Sequence, residues 1–319
     1  ADCYAQTGWT KADVGFWCSG SSDYLAGRSF SFVSAVDAIG ALPPVVESHV
    51  EMDAAWALYE AGVKIQTGEV DTAMVYGFGK ASAGVLRRTL ALQLDPYTLT
   101  PLWPDTVSIA GLQARIGLES GAWSEQDMAE VVARSGVAAT TNPHAVRRGQ
   151  HSVEELLAEP SYADPLRRHD CAPVTDGAAA IVLAASGPAQ DACERPAWIT
   201  GIAHSIDAQS LASRDLTLAP SAGRAATAAG VADVDVAELH APFSHQELIL
   251  RQEFSLGEHT QINPSGGALS GNPMFAGGLI RIGEAAQQIW SGAADTALGH
   301  ATSGPALQQN LVCMMGAEE

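Results

Sequence analysis

The chain is poor in positive charge and has no long apolar run. Its 17 Lys and Arg residues stand against 36 Asp and Glu, a formal net charge of −19. That balance repels phosphate backbones and anionic lipid surfaces, so neither nucleic acid nor a charged membrane is expected as a main partner. No stretch approaches the roughly 18 apolar residues that a membrane-spanning helix needs. Cysteine is sparse: Cys3, Cys18, Cys171, Cys193 and Cys313, none in CxxC spacing. That leaves no cysteine framework for a metal. The opening Ala1-Asp2-Cys3-Tyr4 shows no signal-peptide pattern. An odd number of thiols without such a signal leads to the expectation of a cytoplasmic protein with reduced, buried cysteines.

What is present is a chain of 319 residues, 47% apolar and 17% charged, with 31 glycines. This is the composition of a well-packed α/β protein, large enough for two intimately packed halves. Short apolar strands alternate with amphipathic helices, as a sheet with crossover connections requires. Val14 to Cys18 reads as a strand. The spacing of Ala54, Ala57, Leu58, Ala61 and Ile65 predicts a helix from Asp53 to Gln66, closed by Gly68. A buried strand is expected from Thr72 to Tyr76. From about Lys80 to Asp170 the pattern loosens around Asp95-Pro96, Trp103-Pro104 and Asn142-Pro143, which reads as a partly helical insertion over one end of the sheet.

Strand character resumes from Ala178 to Leu183. The second half then repeats the theme, with strands at Trp198–Ile202 and Val234–Leu239, helices at Ala219–Ala229 and from Ser244, and a last strand from Gln308 to Met315. The order of elements, rather than any sequence repeat, divides the chain into residues 1–190 and 191–319. Three arginine pairs, Arg87-Arg88, Arg147-Arg148 and Arg167-Arg168, fall near or within the insertion. They are either solvated surface or forks that match phosphate oxygens in a bidentate way.

Four segments in order carry a resemblance. They are the strand-to-helix junction at Glu51, Val174-Thr175-Asp176-Gly177-Ala178-Ala179, His240-Ala241-Pro242-Phe243, and the glycine-rich run from Asn263 through Gly266, Gly267 and Asn272 to Pro273. Together they resemble the thiolase superfamily, its sterol-carrier-type members, and among those the actinobacterial "lipid-transfer protein" branch linked to steroid side-chain breakdown. The resemblance implies an α/β thiolase fold, with two duplicated βαβαβαββ halves in a five-layer αβαβα arrangement and a loop-domain insertion. It also implies an opening strand and helix ahead of Val14, of which only the tail of the helix, Asp2 to Gly8, would be present and about 25–35 residues missing.

The same resemblance assigns roles. Glu51 stands at the position of the nucleophilic cysteine. His240 matches a histidine that helps to hold the thioester oxygen, and Asn272 replaces the histidine of the glycine-rich signature. His300 stands where the sterol-carrier branch has a further histidine, and is the expected general acid or base. Gly266 and Gly267, with Arg87, Arg88, Arg147 and Arg148, are the expected contacts to coenzyme A, which enters as part of the substrate rather than as a cofactor; no metal is implied.

The residues themselves leave alternatives open. Glu51 is a general base, a competitor for a ligand carboxylate or simply an acid at a helix start. Asp53 reads foremost as a helix cap. A register shift of one or two residues brings His49 nearer the nucleophile position. Without cysteine at either thiolase position a Claisen condensation through an acyl-enzyme is not expected. Anion stabilisation survives, and implies retro-aldol cleavage of a bulky, steroid-like β-hydroxyacyl-CoA. All six tyrosines, however, lie in the first half. A silent subunit beside a homologous active chain, or an acyl-CoA carrier, is therefore the alternative. The implied partners are that homologous thiolase-like subunit and a small zinc-ribbon/OB-fold protein.

Overall fold

The structure, a computed structural model, describes residues 2–26, 29–33, 35, 39–40 and 45–319. The strands, in chain order, are β1 (Phe16–Gly20), β2 (Glu47–Val50), β3 (Thr72–Lys80), β4 (Ser161–Ala163), β5 (Leu166–Arg167) and β6 (Val174–Ala184). They continue with β7 (Trp198–Ile206), β8 (Val236–Glu238), β9 (Gln261–Ile262), β10 (Asn272–Pro273), β11 (Thr296–Ser303) and β12 (Gln309–Gly316). One sheet runs β10-β6-β3-β1-β2 and the other β7-β12-β11-β8-β9. The run β6-β3-β1-β2 and the run β12-β11-β8-β9 have the same order and the same directions, with one antiparallel pair, β3/β6 or β11/β12, in an otherwise parallel set. This is the internal duplication that the order of elements implies. The second half presents the full βαβαβαββ succession. In the first half, β6 is flanked on its far side by β10, a two-residue strand from the second half, where β12 is flanked by β7.

Two helices, Ala54–Gln66 and Gly277–Trp290, lie between the sheets. Their apolar faces meet each other and the inner faces of both sheets: Ala54, Leu58 and Ala61 with Leu279, Ile282 and Ile289, under Phe16, Cys18 and Val75 on one side and Ala297, Leu311 and Cys313 on the other. The small residues matter here. Alanine at 54, 57 and 61 lets the helix sit close to strands, and a Cβ added at Gly299 would meet the Ile282 backbone at 2.7 Å. The helices Pro220–Ala228 and Ser244–Glu253 cover the outer face of the second sheet, and the short helix Asp2–Thr7 packs on β6. Five layers, αβαβα, result.

The insertion is mainly helical, with Leu86–Leu92, Thr106–Ser120, Glu125–Ala138 and Val153–Ala158. Asp105, Ser124 and Ser152 cap the last three in turn through side-chain oxygens. No helix among the described residues is long and apolar enough to cross a membrane.

Candidate active site

A cavity of about 910 Å³ opens between the insertion and the second half. Its outer walls are apolar and come from the insertion, with Leu86, Leu90, Leu94 and Ile109 among them. At its inner end stand Asp53, His240, Asn272 and Thr302, brought together from four separate elements. Arg87, Tyr162, Arg147 and Arg168 also line it. Arg87 bridges to Asp105 at 3.2 Å and donates to the Tyr162 hydroxyl, while the Arg168 guanidinium lies 5.2 Å from the Tyr162 ring centre.

His240 leaves the end of β8 and is buried. Its Nδ1 accepts the Thr302 backbone N–H at 3.3 Å, so its proton sits on Nε2, which donates to Asn272 Oδ1 at 2.9 Å. Burial holds the imidazole below its usual pKa, although the nearby Asp53 carboxylate pulls the other way. Asn272 is fixed twice more: its N–H donates to Thr175 Oγ1, and β10 pairs with the start of β6. With Oδ1 taken by His240, the Asn272 amide nitrogen is the group left to donate to a ligand.

The acid at the helix start is Asp53, not Glu51. Asp53 caps the Ala54–Gln66 helix through Ala55 N–H at 2.9 Å. The same carboxylate accepts Gly278 N–H at 2.9 Å and Leu279 N–H at 3.1 Å, from the start of the facing Gly277–Trp290 helix. Two helix N-termini thus converge on one buried anion. Glycine is required for the approach, since a Cβ at Gly278 would stand 2.7 Å from Asp53 Oδ1 and one at Gly277 would stand 2.5 Å from Asn272 Oδ1. Glu51 lies two residues before this cap, half exposed, accepting Asp23 N–H at 2.7 Å beside His49 at 3.5 Å, and does not line the cavity.

Three other expectations need correction. His300 lies on β11, where alternate residues face opposite ways. Ala301 faces the central helices, so His300 faces outward against Phe254, with Nε2 3.0 Å from Asn310 Oδ1. It is fully buried away from the cavity, and burial pushes it down to about 3. Gly266 and Gly267 do not line the cavity. They take left-handed backbone, φ +95° and +63°, to start the short helix Gly267–Ser270 against Ala139. Arg88 sits exposed on the helix Leu86–Leu92, and Arg148 lines a separate, smaller cavity; of the four expected arginines the large cavity takes Arg87 and Arg147.

The glycine-rich segment is held by buried charge. Arg281 donates to Glu238 at 2.7 Å and to Ser265 Oγ at 2.6 Å, and Glu238 accepts Ser265 N–H at 2.8 Å. Asn263, at φ +51°, accepts Leu239 N–H and donates to Glu247. These contacts fix the chain just before His240, at Glu238 and Leu239.

No family model matches the chain. It is similar to an acetyl-CoA acetyltransferase of Methanothermobacter thermautotrophicus, 25% identical over 282 residues, which are 78% of this chain and 72% of that one. It is similar also to human sterol carrier protein 2, 28% identical over 276 residues, 73% of this chain and 50% of the relative. The chain thus spans about half the length of that relative. Among solved structures, an "Ltp2-ChsH2(DUF35) aldolase" superposes with a TM-score of 0.80 at 18% identity, over 99% of this chain and 90% of that one. The expected fold is therefore borne out: the duplicated five-layer molecule has the thiolase fold, and the chain is a thiolase-like protein.

Proposed function

We propose that the large cavity binds a bulky acyl-CoA, steroid-like in size, and that the chain cleaves a β-hydroxyacyl thioester by a retro-aldol reaction. One observation carries this reading: the hydrogen-bond chain from Thr302 N–H through His240 to Asn272 leaves a fixed amide donor at the inner end of an apolar cavity. A donor placed there stabilises the oxygen of a thioester enolate. The β-hydroxyl proton passes to His240 Nδ1, whose present partner is distant at 3.3 Å. The Cα–Cβ bond then breaks, its electron pair moving through Cα to the thioester oxygen, which accepts from Asn272. The enolate collapses, takes the proton back at Cα and leaves as the shorter acyl-CoA, while the other fragment leaves as a ketone or aldehyde. No covalent enzyme intermediate is involved, in keeping with Asp53 at the helix start.

A second reading has its own support. The Asp53 carboxylate is engaged by three N–H groups and both His240 nitrogens have partners, so no base at the inner end stands free among the described residues. In that reading the chain is the silent subunit of a heteromer with a homologous active chain. A DUF35-type partner, as named with the aldolase of similar fold, belongs to either version.

The deciding experiment follows short acyl-CoA release from a bulky β-hydroxyacyl-CoA by mass spectrometry, with the chain alone and with candidate partner chains. Release by the chain alone, lowered about 10²–10³-fold in Asn272→Leu, supports the lyase. Release only from the mixture, unchanged by Asn272→Leu and His240→Ala, makes this the silent subunit. Stoichiometric capture without turnover makes it a carrier.

A further inference from the structure

Beside the large cavity lies a smaller one of about 250 Å³. Its polar lining is Arg147, Arg148, Arg168, His151, His169 and Ser135, with Glu159 as the one carboxylate. Arg147 and Arg168 line both cavities. In a chain of net charge −19 the gathering of three arginines in one cavity is out of keeping with the overall charge. Arg147, Arg148 and Arg168 make no ion pair with a carboxylate of the described residues, whereas Arg115, Arg134, Arg195, Arg224 and Arg281 each do.

Two of the forks are nonetheless held in place. Arg147 donates to the carbonyls of His169 at 3.3 Å and Cys171 at 2.8 Å, and Arg148 to that of Ala145 at 2.9 Å. The segment carrying Arg147, Arg148 and His151 is drawn onto the helix Glu125–Ala138 through Gly149 N–H to Gly136 carbonyl, at 3.1 Å. A Cβ at Gly136 would stand 2.6 Å from the Gly149 oxygen, so only glycine allows this approach.

We propose that the smaller cavity is a subsite for a phosphate monoester or diphosphate group, read by the Arg147, Arg148 and Arg168 forks. Arg147 and Arg148, held by carbonyls but without carboxylate partners, are pre-arranged for the bidentate contacts that phosphate oxygens offer, and Arg168, over the Tyr162 ring, adds its charge. The volume lies below the roughly 300–1,000 Å³ of sites that take whole drug-sized ligands, so the subsite receives one end of a ligand or a small ion. The phosphate has two sources. It is the nucleotide end of a thioester seated in the large cavity, which rests on the function proposed above, or it is a separate phosphorylated effector.

Titration calorimetry on the whole chain tests this, with inorganic pyrophosphate as the probe. Arg148 and His151 line the smaller cavity alone, and both are exposed, so their alanine variants leave the core intact. Arg87 lines the larger cavity alone. Arg148→Ala is expected to weaken pyrophosphate about tenfold, the loss of a charge-assisted pair, with a smaller loss in His151→Ala and none in Arg87→Ala. Absence of pyrophosphate binding by the parent chain, or equal losses in Arg148→Ala and Arg87→Ala, overturns the subsite. Given an Arg148-dependent signal, competition with an acyl-CoA identifies the nucleotide end as the source, and simultaneous binding identifies a separate effector. Pyrophosphate binding that depends on Arg148 in a chain that binds no acyl-CoA leaves the subsite standing and removes the lyase.

Discussion

Acidification tests whether His300 is structural. His245 and His300 are both fully buried, both are pushed down to about 3 by burial, and in each Nδ1 has no partner. Unfolded, each titrates near 6.5. Between those values the unfolded chain takes up a proton that the folded chain refuses, so the contribution of each histidine is whole above 6.5 and is lost progressively as the pH falls. The slope is about 1.4 kcal/mol per pH unit. About two units below 6.5, each histidine has cost about 2.7 kcal/mol, and the pair about 5 kcal/mol. This is a large share of the ordinary 5–15 kcal/mol of a folded domain.

The comparison that isolates one of them is His300→Gln. Glutamine supplies a nitrogen donor toward Asn310 Oδ1 but does not titrate. Urea unfolding of parent and variant from neutral pH to about pH 4.5 gives the difference, in which every other group common to both chains cancels. The variant is expected to lose about 2.7 kcal/mol less than the parent across that range, whatever its absolute stability. Parallel curves would refute the placement of His300 in a dry interior, and with it the correction that takes this residue out of the active site.

Two further outcomes concern the inner end of the cavity. Asp53→Ala leaves three buried N–H groups on two helices without a partner and is expected to cost about 3–5 kcal/mol in urea unfolding. Loss of less than about 1 kcal/mol would show that water replaces the carboxylate, and that the convergence of the helices does not depend on it. Gly278→Ala drives a methyl group against Ala301 and to 2.7 Å from Asp53 Oδ1. A loss of about 3 kcal/mol is expected from this overpacking, read as a lowered melting temperature.

The fold was largely legible because the apolar spacing of the central helices and the strand runs around them is strong and local. Ala54 to Gln66 lies within one residue of its expected start, and β12 lies within one residue of the strand expected from Gln308 to Met315. Register at the active site was less legible. Asp53 reads as the cap from its place before the helix, but the resemblance puts Glu51, two residues earlier, at the reactive junction, and the sequence alone does not say which of the two acids faces the cavity. Geometry decides, because the cap is the residue that reaches the first free N–H groups, here Ala55 and those of the helix opposite.

His300 failed for a different reason. Along a strand, neighbours face opposite layers: Ala301 turns to the central helices, so His300 beside it turns to the outer layer against Phe254, and a match of position in the motif carries no information on that choice of face. Tyr162 at the rim gave little signal, since it meets Arg87 and Arg168 only when the insertion folds over. The arginine pairs carried information, but the two members of a pair diverge: Arg87 lines the large cavity and Arg88 does not.

The central layer carries a consequence for how the chain is assembled. The helix Ala54–Gln66 and the helix Gly277–Trp290 belong to different halves, yet each completes the apolar interior of the other, and Asp53 of the first half terminates the helix of the second. Neither half keeps a closed interior once the other is withdrawn. A cut in the connection between Ala184 and Trp198, outside β6 and β7, therefore yields two pieces that expose their helices when separate and recover structure on mixing. The halves are two copies in design but one cooperative unit in folding, and a split chain of this kind would report their association directly through recovered ellipticity.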